Sequence, residues 1–166
     1  METKNLDIYG NDAIPWERAR EQLETIQTAG HRTCWLATAG ADGVPHLAGT
    51  GAVWADDRFY FVSGASTRKS RNVEQNPECA ISMSLPGIDV VVQGRARRVT
   101  DRATLERVVA LYVKAGWPAK AGDGVVTAPY SAPSAGPSPW NLYEMVPASA
   151  VGVASEDPPG ASRWTF

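Results

Sequence analysis

Residues 59–77 read Phe59-Tyr60-Phe61-Val62-Ser63-Gly64-Ala65-Ser66-Thr67-Arg68-Lys69-Ser70-Arg71-Asn72-Val73-Glu74-Gln75-Asn76-Pro77, an apolar run that breaks into small residues and then a basic turn. The aromatic and β-branched residues from Phe59 to Val62 predict a strand, and Ser63 to Ser66 carry too little bulk to keep a ligand off the backbone. Thr67 is placed to cap a helix opening at Arg68, whose first N–H groups have no intrahelical acceptor. Arg68, Lys69 and Arg71 add three cations beside that positive helix end, so an anion such as a phosphate fits there. A solvated helix face is the plainer account of a basic triplet taken alone.

Upstream, Pro15 stands at a first helical position, and Trp16, Ala19, Leu23 and Ile26 follow at helical spacing up to a stop at Ala29-Gly30. Thr33 to Ala39 and Val44 to Trp54 predict strands joined at Asp42-Gly43, a hairpin signal, and 55–58 turns the chain into the Phe59 strand. Downstream, Cys79 to Leu85 and Ile88 to Val99 make a hairpin around Pro86-Gly87. Its Asp89-Val90-Val91-Val92 stretch is too apolar on both faces for an exposed edge. Thr100-Asp101 caps a helix with Leu105, Val108, Val109 and Tyr112 on one face, stopped by Gly116 and Pro118. Residues 117–139 hold five prolines and form either a lid, a dimer-contacting loop or a plain connector. Trp140 to Met145 and Ser149 to Ala154 close the sheet around Pro147, and residues 155–166 form a tail.

One domain is the natural count for 166 residues with 43% hydrophobic content. A net charge of −2 argues against nucleic acid, which needs a basic field over a whole face. Met1 to Asn5 begins polar with no apolar leader core after it, and no run is long enough to span a bilayer, so a cytoplasmic location is expected and no membrane partner. Cys34 and Cys79 sit in apolar strand-like runs as small hydrophobes. Two cysteines and two histidines without ligand spacing predict no metal, and no hydrolytic motif is present.

The spacing Thr67-Arg68-Lys69-x-Arg71-x-Val73-x-x-Asn76-Pro77 resembles the flavin-phosphate segment of the pyridoxamine 5′-phosphate oxidase family. The order of helix, strand, hairpin, cradle and second hairpin into Gln93-Gly94-Arg95-Ala96 is similar over most of the chain. This resemblance implies a mainly β fold with flanking helices, a six-stranded antiparallel split β-barrel, binding FMN or the deazaflavin coenzyme F420 between the subunits of a homodimer. It implies that Arg68 and Lys69 hold the cofactor phosphate and that Val62 and Ser63 run along the ribityl chain. The true oxidase has an Arg and a Lys where this chain has Leu47 and Ala52, and a C-terminal Arg-x-His-x-Arg run that is missing here. The ending Ser162-Arg163-Trp164-Thr165-Phe166 looks instead like flavin and deazaflavin oxidoreductases of actinobacteria. The absent strand cations tilt the choice towards the deazaflavin, whose anionic tail can use Arg71.

Hydride transfer to or from a small organic substrate is the activity so implied, with no catalytic side chain of the protein's own; a non-catalytic flavin or haem carrier is the alternative. Gly49 and Gly51 allow close approach of strand to ring, with Thr50 polarising the ring edge, or else they mark a barrel bend. Trp140 and Trp164 are placed to stack on the ring or to fill a subunit interface. Because leaving Trp164 and Phe166 in water forgoes burial, the tail is expected to fold back near the cofactor cleft, with Arg163 pairing an acid or a cofactor oxygen.

Overall fold

The computed structural model describes residues 1–25, 34–132 and 135–166. Strands β1 (Glu2–Asn5), β2 (Cys34–Ala39), β3 (Pro45–Thr50), β4 (Ala52–Ala55), β5 (Arg58–Ser63), β6 (Glu78–Leu85), β7 (Ile88–Val99), β10 (Asn141–Ala154) and β11 (Ala161–Thr165) form one antiparallel sheet. The helices are α1 (Trp16–Thr25), α2 (Arg68–Gln75) and α3 (Arg102–Lys114), and a small hairpin pairs β8 (Lys120–Ala121) with β9 (Val126–Thr127). Among the described residues the sheet has nine strands rather than six. The expected Val44–Trp54 strand breaks at Gly51, and two strands join from the chain ends. One of these, β1, carries only exposed side chains and so shows no apolar alternation; it exists because β11 offers it an open ladder.

The turns follow from local chemistry. Asp56 and Asp57 both adopt positive φ, 53° and 56°, which two-residue hairpins require and which Asp tolerates through its short polar side chain. In α1, Trp16, Ala19 and Leu23 are buried at the expected spacing, while Ile26 and the Ala29-Gly30 stop lie outside the described residues. In β7, Val90 and Val92 face the core and Asp89 and Val91 face outward, although the strand runs between β6 and β10. It is therefore an interior strand with one exposed face.

Strand β10 organises the barrel. It pairs with β7 along its length, with β5 over Asn141–Met145 and with β11 over Ser149–Val153, so its second edge changes neighbour halfway. A bulge between Pro147 and Ser149 marks the change, where proline has no N–H to offer a ladder. The opposing residue is Gly94, where a Cβ would lie 2.1 Å from the Val146 carbonyl oxygen, so only glycine fits.

Two apolar clusters result. Phe59, Phe61, Tyr143, Met145 and Trp164 fill the barrel with α1 against it, and Tyr60, Leu142, Leu105 and Tyr112 belong to a second cluster under α3. Strand β5 and the first half of β10 lie between the two, buried on both faces. That is why 59–62 reads as an unbroken apolar run. The proline-rich segment is folded onto the second cluster rather than running free: Trp117 Nε1 donates to the Tyr130 carbonyl at 2.7 Å, and Val126 and Trp140 exchange backbone bonds of 2.8 and 2.9 Å. Among the described residues no helix is long and apolar enough to cross a membrane.

Candidate functional site

Strand β5 ends at Ser63, fully buried, and the chain turns through Gly64 to Ser66 into α2. Thr67 fastens this turn. Its hydroxyl donates to the Gly64 carbonyl at 2.9 Å, accepts from the Ser70 N–H at 3.3 Å and lies 2.7 Å from the Ser63 hydroxyl. Thr67 is thus the N-cap predicted for it, with extended φ/ψ of −71°/154°. The N–H groups of Arg68 and Lys69, the first two helical residues, have no acceptor inside the helix. Gly64 is held from behind by the proline-rich segment: a Cβ there would lie 2.7 Å from the Ala135 carbonyl oxygen and 3.7 Å from Trp140.

The cations differ sharply. Arg68 projects outward, and Arg71 donates to the Ser66 carbonyl, bracing the turn it follows. Lys69 is only 6% exposed and has no hydrogen bond or ion pair among the described residues, and burial alone holds its ammonium below the usual lysine range. No fully buried side-chain nitrogen of the described residues lacks a partner, so this ammonium retains a path to solvent. An unpaired, largely desolvated cation beside two free helix N–H groups is an arrangement that can hold an anion.

Neighbouring residues extend the cradle. Val62 is partly buried on β5. Thr50 ends β3, which pairs with β2 and leaves its other edge open, so backbone groups of 45–50 are presented there among the described residues. The Gly51 carbonyl accepts from the Tyr112 hydroxyl at 3.3 Å. Two residues that the sequence did not single out also face this region. Asn72, one turn after Lys69, donates from Nδ2 to Thr38 Oγ1 at 3.0 Å, docking α2 on β2, and His46 pairs with Thr38 across β2 and β3. Burial first, then the charges of Arg68 and Lys69, push the His46 imidazole below its usual range. Only a buried polar residue at i+3 from Lys69 hinted at this packing.

The aromatic candidates are placed otherwise than expected. Trp140 is a buried wall behind Gly64, its Nε1 donating to the Gly136 carbonyl at 3.1 Å, and it packs on Trp117 with centroids 5.7 Å apart. The tail does fold back, as β11, but it does not reach the cradle. Trp164 is opposite Ala150 in the second half of β10, fully buried, with Trp16 at 5.3 Å and its Nε1 bonded to the Ile14 carbonyl at 3.0 Å. Arg163 is exposed beside Lys4 and Val151. The ring is captured by the core because its single polar atom is satisfied there.

A cleft of about 470 Å³ opens at the opposite end of β5, with Trp16, Trp54, Arg20, Asp57, Arg58 and Phe166 in its lining. Its cations are already paired, Arg20 with Asp57 at 3.0 Å and Arg58 with the buried Glu144. No group of three or more His, Cys, Asp or Glu among the described residues could hold a metal.

Comparison with known proteins bears on the family and the fold. The family model described as pyridoxamine 5′-phosphate oxidase matches residues 17–133. Among solved structures, an F420 reductase is similar at 21% identity and a TM-score of 0.54, covering 79% of this chain and 94% of that one. An FMN-binding, pyridoxamine 5′-phosphate oxidase-related protein from Nostoc punctiforme is similar at 17% identity and 0.60, covering 91% and 89%. PhzG from Burkholderia lata, in complex with tetrahydrophenazine-1-carboxylic acid, is similar at 15% identity and 0.57, covering 95% and 94%. At these identities the likeness is one of fold. No curated protein matches.

Proposed function

The chain belongs to the pyridoxamine 5′-phosphate oxidase family, and from that premise we propose that it is an oxidoreductase that binds FMN or coenzyme F420 through Thr67, Arg68 and Lys69. The observation that carries this is Lys69, a buried cation without a partner at the open end of a helix. A cofactor phosphate supplies the missing counter-charge, and the two free N–H groups donate to its oxygens. Val62 and Ser63 then lie along the ribityl chain, and the open edge of β3 at Thr50 offers backbone groups to the ring.

When bound, the cofactor supplies the hydride chemistry. The chain's own residues hold and orient it: Thr67 fixes the turn, Arg71 braces it, and Gly64 with Trp140 closes the wall behind it. The buried apolar second cluster around Tyr60 and Leu142 backs that wall.

The same reading includes a second copy of the chain. The outer face of the sheet carries Trp35, 49% exposed, in register through Ser82 with the exposed Val91, and Leu47 and Val153 are exposed on the same face. A face of this kind, flat between small residues such as Ala37 and Ala80, suits burial against a two-fold partner.

Sedimentation velocity of the purified protein with FMN or with F420, followed at the visible band of the cofactor, tests both parts. We expect one of the two to sediment with a species of twice the chain mass. Neither cofactor moving with the protein sinks the binding assignment, and cofactor on a monomer sinks the pairing.

A further inference from the structure

We propose that His46 is the proton-carrying member of the phosphate site: anion binding brings a proton onto its imidazole, so this protein grips a phosphate more tightly as pH falls through neutrality. The inference rests on the assignment of residues 63–76 as a phosphate cradle, and it assigns that cradle a regulation by pH.

The geometry comes from three contacts. His46 and Thr38 are opposed in the β2–β3 ladder, so their side chains leave the sheet on one face. Thr38 Oγ1 accepts from Asn72 Nδ2 at 3.0 Å, which sets α2 over that face. Lys69 lies one helical turn before Asn72 on the same buried side of α2, with Arg68 beside it at the helix start. Two cations of α2 and one imidazole of β3 are therefore neighbours over that face, close enough for the charges of Arg68 and Lys69 to act on His46.

The charges that face His46 have one sign. From α2 these are Arg68 and Lys69. From β2 the opposing residue is Thr38, which does not titrate. In the turn that leads into β3, the Asp42 carboxylate is directed to the Val44 N–H at 3.1 Å. Without an anion, burial and the two cations hold the imidazole below its usual range. A phosphate set among the three reverses the local sign and favours the imidazolium, which then donates a charge-assisted hydrogen bond. Between the free-state and bound-state pKa values, binding takes up one proton, and affinity rises as pH falls, by at most about tenfold per pH unit.

Phosphate's own second ionisation, at about pH 6, works in the other direction. Comparison with His46→Gln removes it, since both proteins meet the same ligand. FMN, F420 and inorganic phosphate are titrated by fluorescence or calorimetry against the wild type, His46→Gln and Lys69→Ala, at about pH 6 and pH 8. The wild type is expected to gain at least about threefold over His46→Gln at the lower pH, with the two nearly equal at the higher one. The His46 imidazole, followed by NMR, is expected to titrate below its usual range alone and above it with ligand.

Binding that depends on Lys69 but shows the same pH profile in His46→Gln overturns this inference and leaves the cradle standing. Binding that is absent, or that ignores Lys69, overturns both.

Discussion

Arg68-Lys69 in the cradle and Arg163-Trp164 in the last strand are each a basic residue followed by a large one that the fold buries, and they serve opposite ends. Trp164 is buried with its one polar atom bonded to the Ile14 carbonyl at 3.0 Å, so nothing there waits for a ligand. Lys69 is buried with its charge uncompensated. Burial with satisfaction stabilises a fold, whereas burial without it costs stability and is recovered only when something binds.

Trp164→Ala gives the hardest test of that contrast. Removing a fully buried Trp costs about 3–5 kcal/mol, and at about 2–4 °C per kcal/mol for a chain of this size the melting temperature should fall by about 6–20 °C. Cofactor affinity of the folded protein, read by fluorescence titration, should not change. A loss of affinity with little change in melting would return Trp164 to the site and break the comparison.

Lys69→Ala should behave in the mirror sense. One charge-assisted contact is worth about 1.5–3 kcal/mol, so cofactor affinity should fall at least about tenfold. The cofactor-free protein should melt no lower than the wild type, because a desolvated charge has been removed. A lower melting temperature with unaltered affinity would mean that the Lys69 stem is merely core.

Arg163→Ala should do least. The side chain is exposed on β11, and surface changes of this kind stay within about 0.5 kcal/mol. Any measurable loss of cofactor binding in a dimeric sample would show Arg163 reaching a partner's cleft, which would sharpen the boundary between the two regions.

The cradle could be read in the sequence because its signals are local. Thr67 caps within three residues, Ser63 to Ser66 are small, and the strand and helix that flank them announce themselves by residue type. The tail could not be placed in that way. An aromatic ring next to an arginine indicates burial but not the surface it meets, and Trp164 meets Trp16, whose position depends on how α1 docks on the sheet. His46 was hidden for the same reason. Its importance lies in a helix that Asn72 and Thr38 bring over it from elsewhere in the chain. The split of 44–54 at Gly51 and the continuity of β10 past Pro147 likewise depend on which neighbour each strand finds, information that alternation of side chains does not contain.

The sharing of β10 among three neighbours also bears on how the chain is made. Its second half finds β11 only when residues 161–165 arrive, and β11 then takes up β1 from the other end of the sequence. The β1–β11 contacts span almost the whole chain, and pairings of such long sequence separation form slowly. Until they do, the outer edge of β11 stands unpaired, able to template pairing with another copy. The turn from Ser63 to Ser70, bonded among near neighbours in sequence, has no such delay. A newly made chain therefore closes this turn before it covers its last strand edge, and a ligand that favours the folded form would shorten the interval in which that edge is exposed.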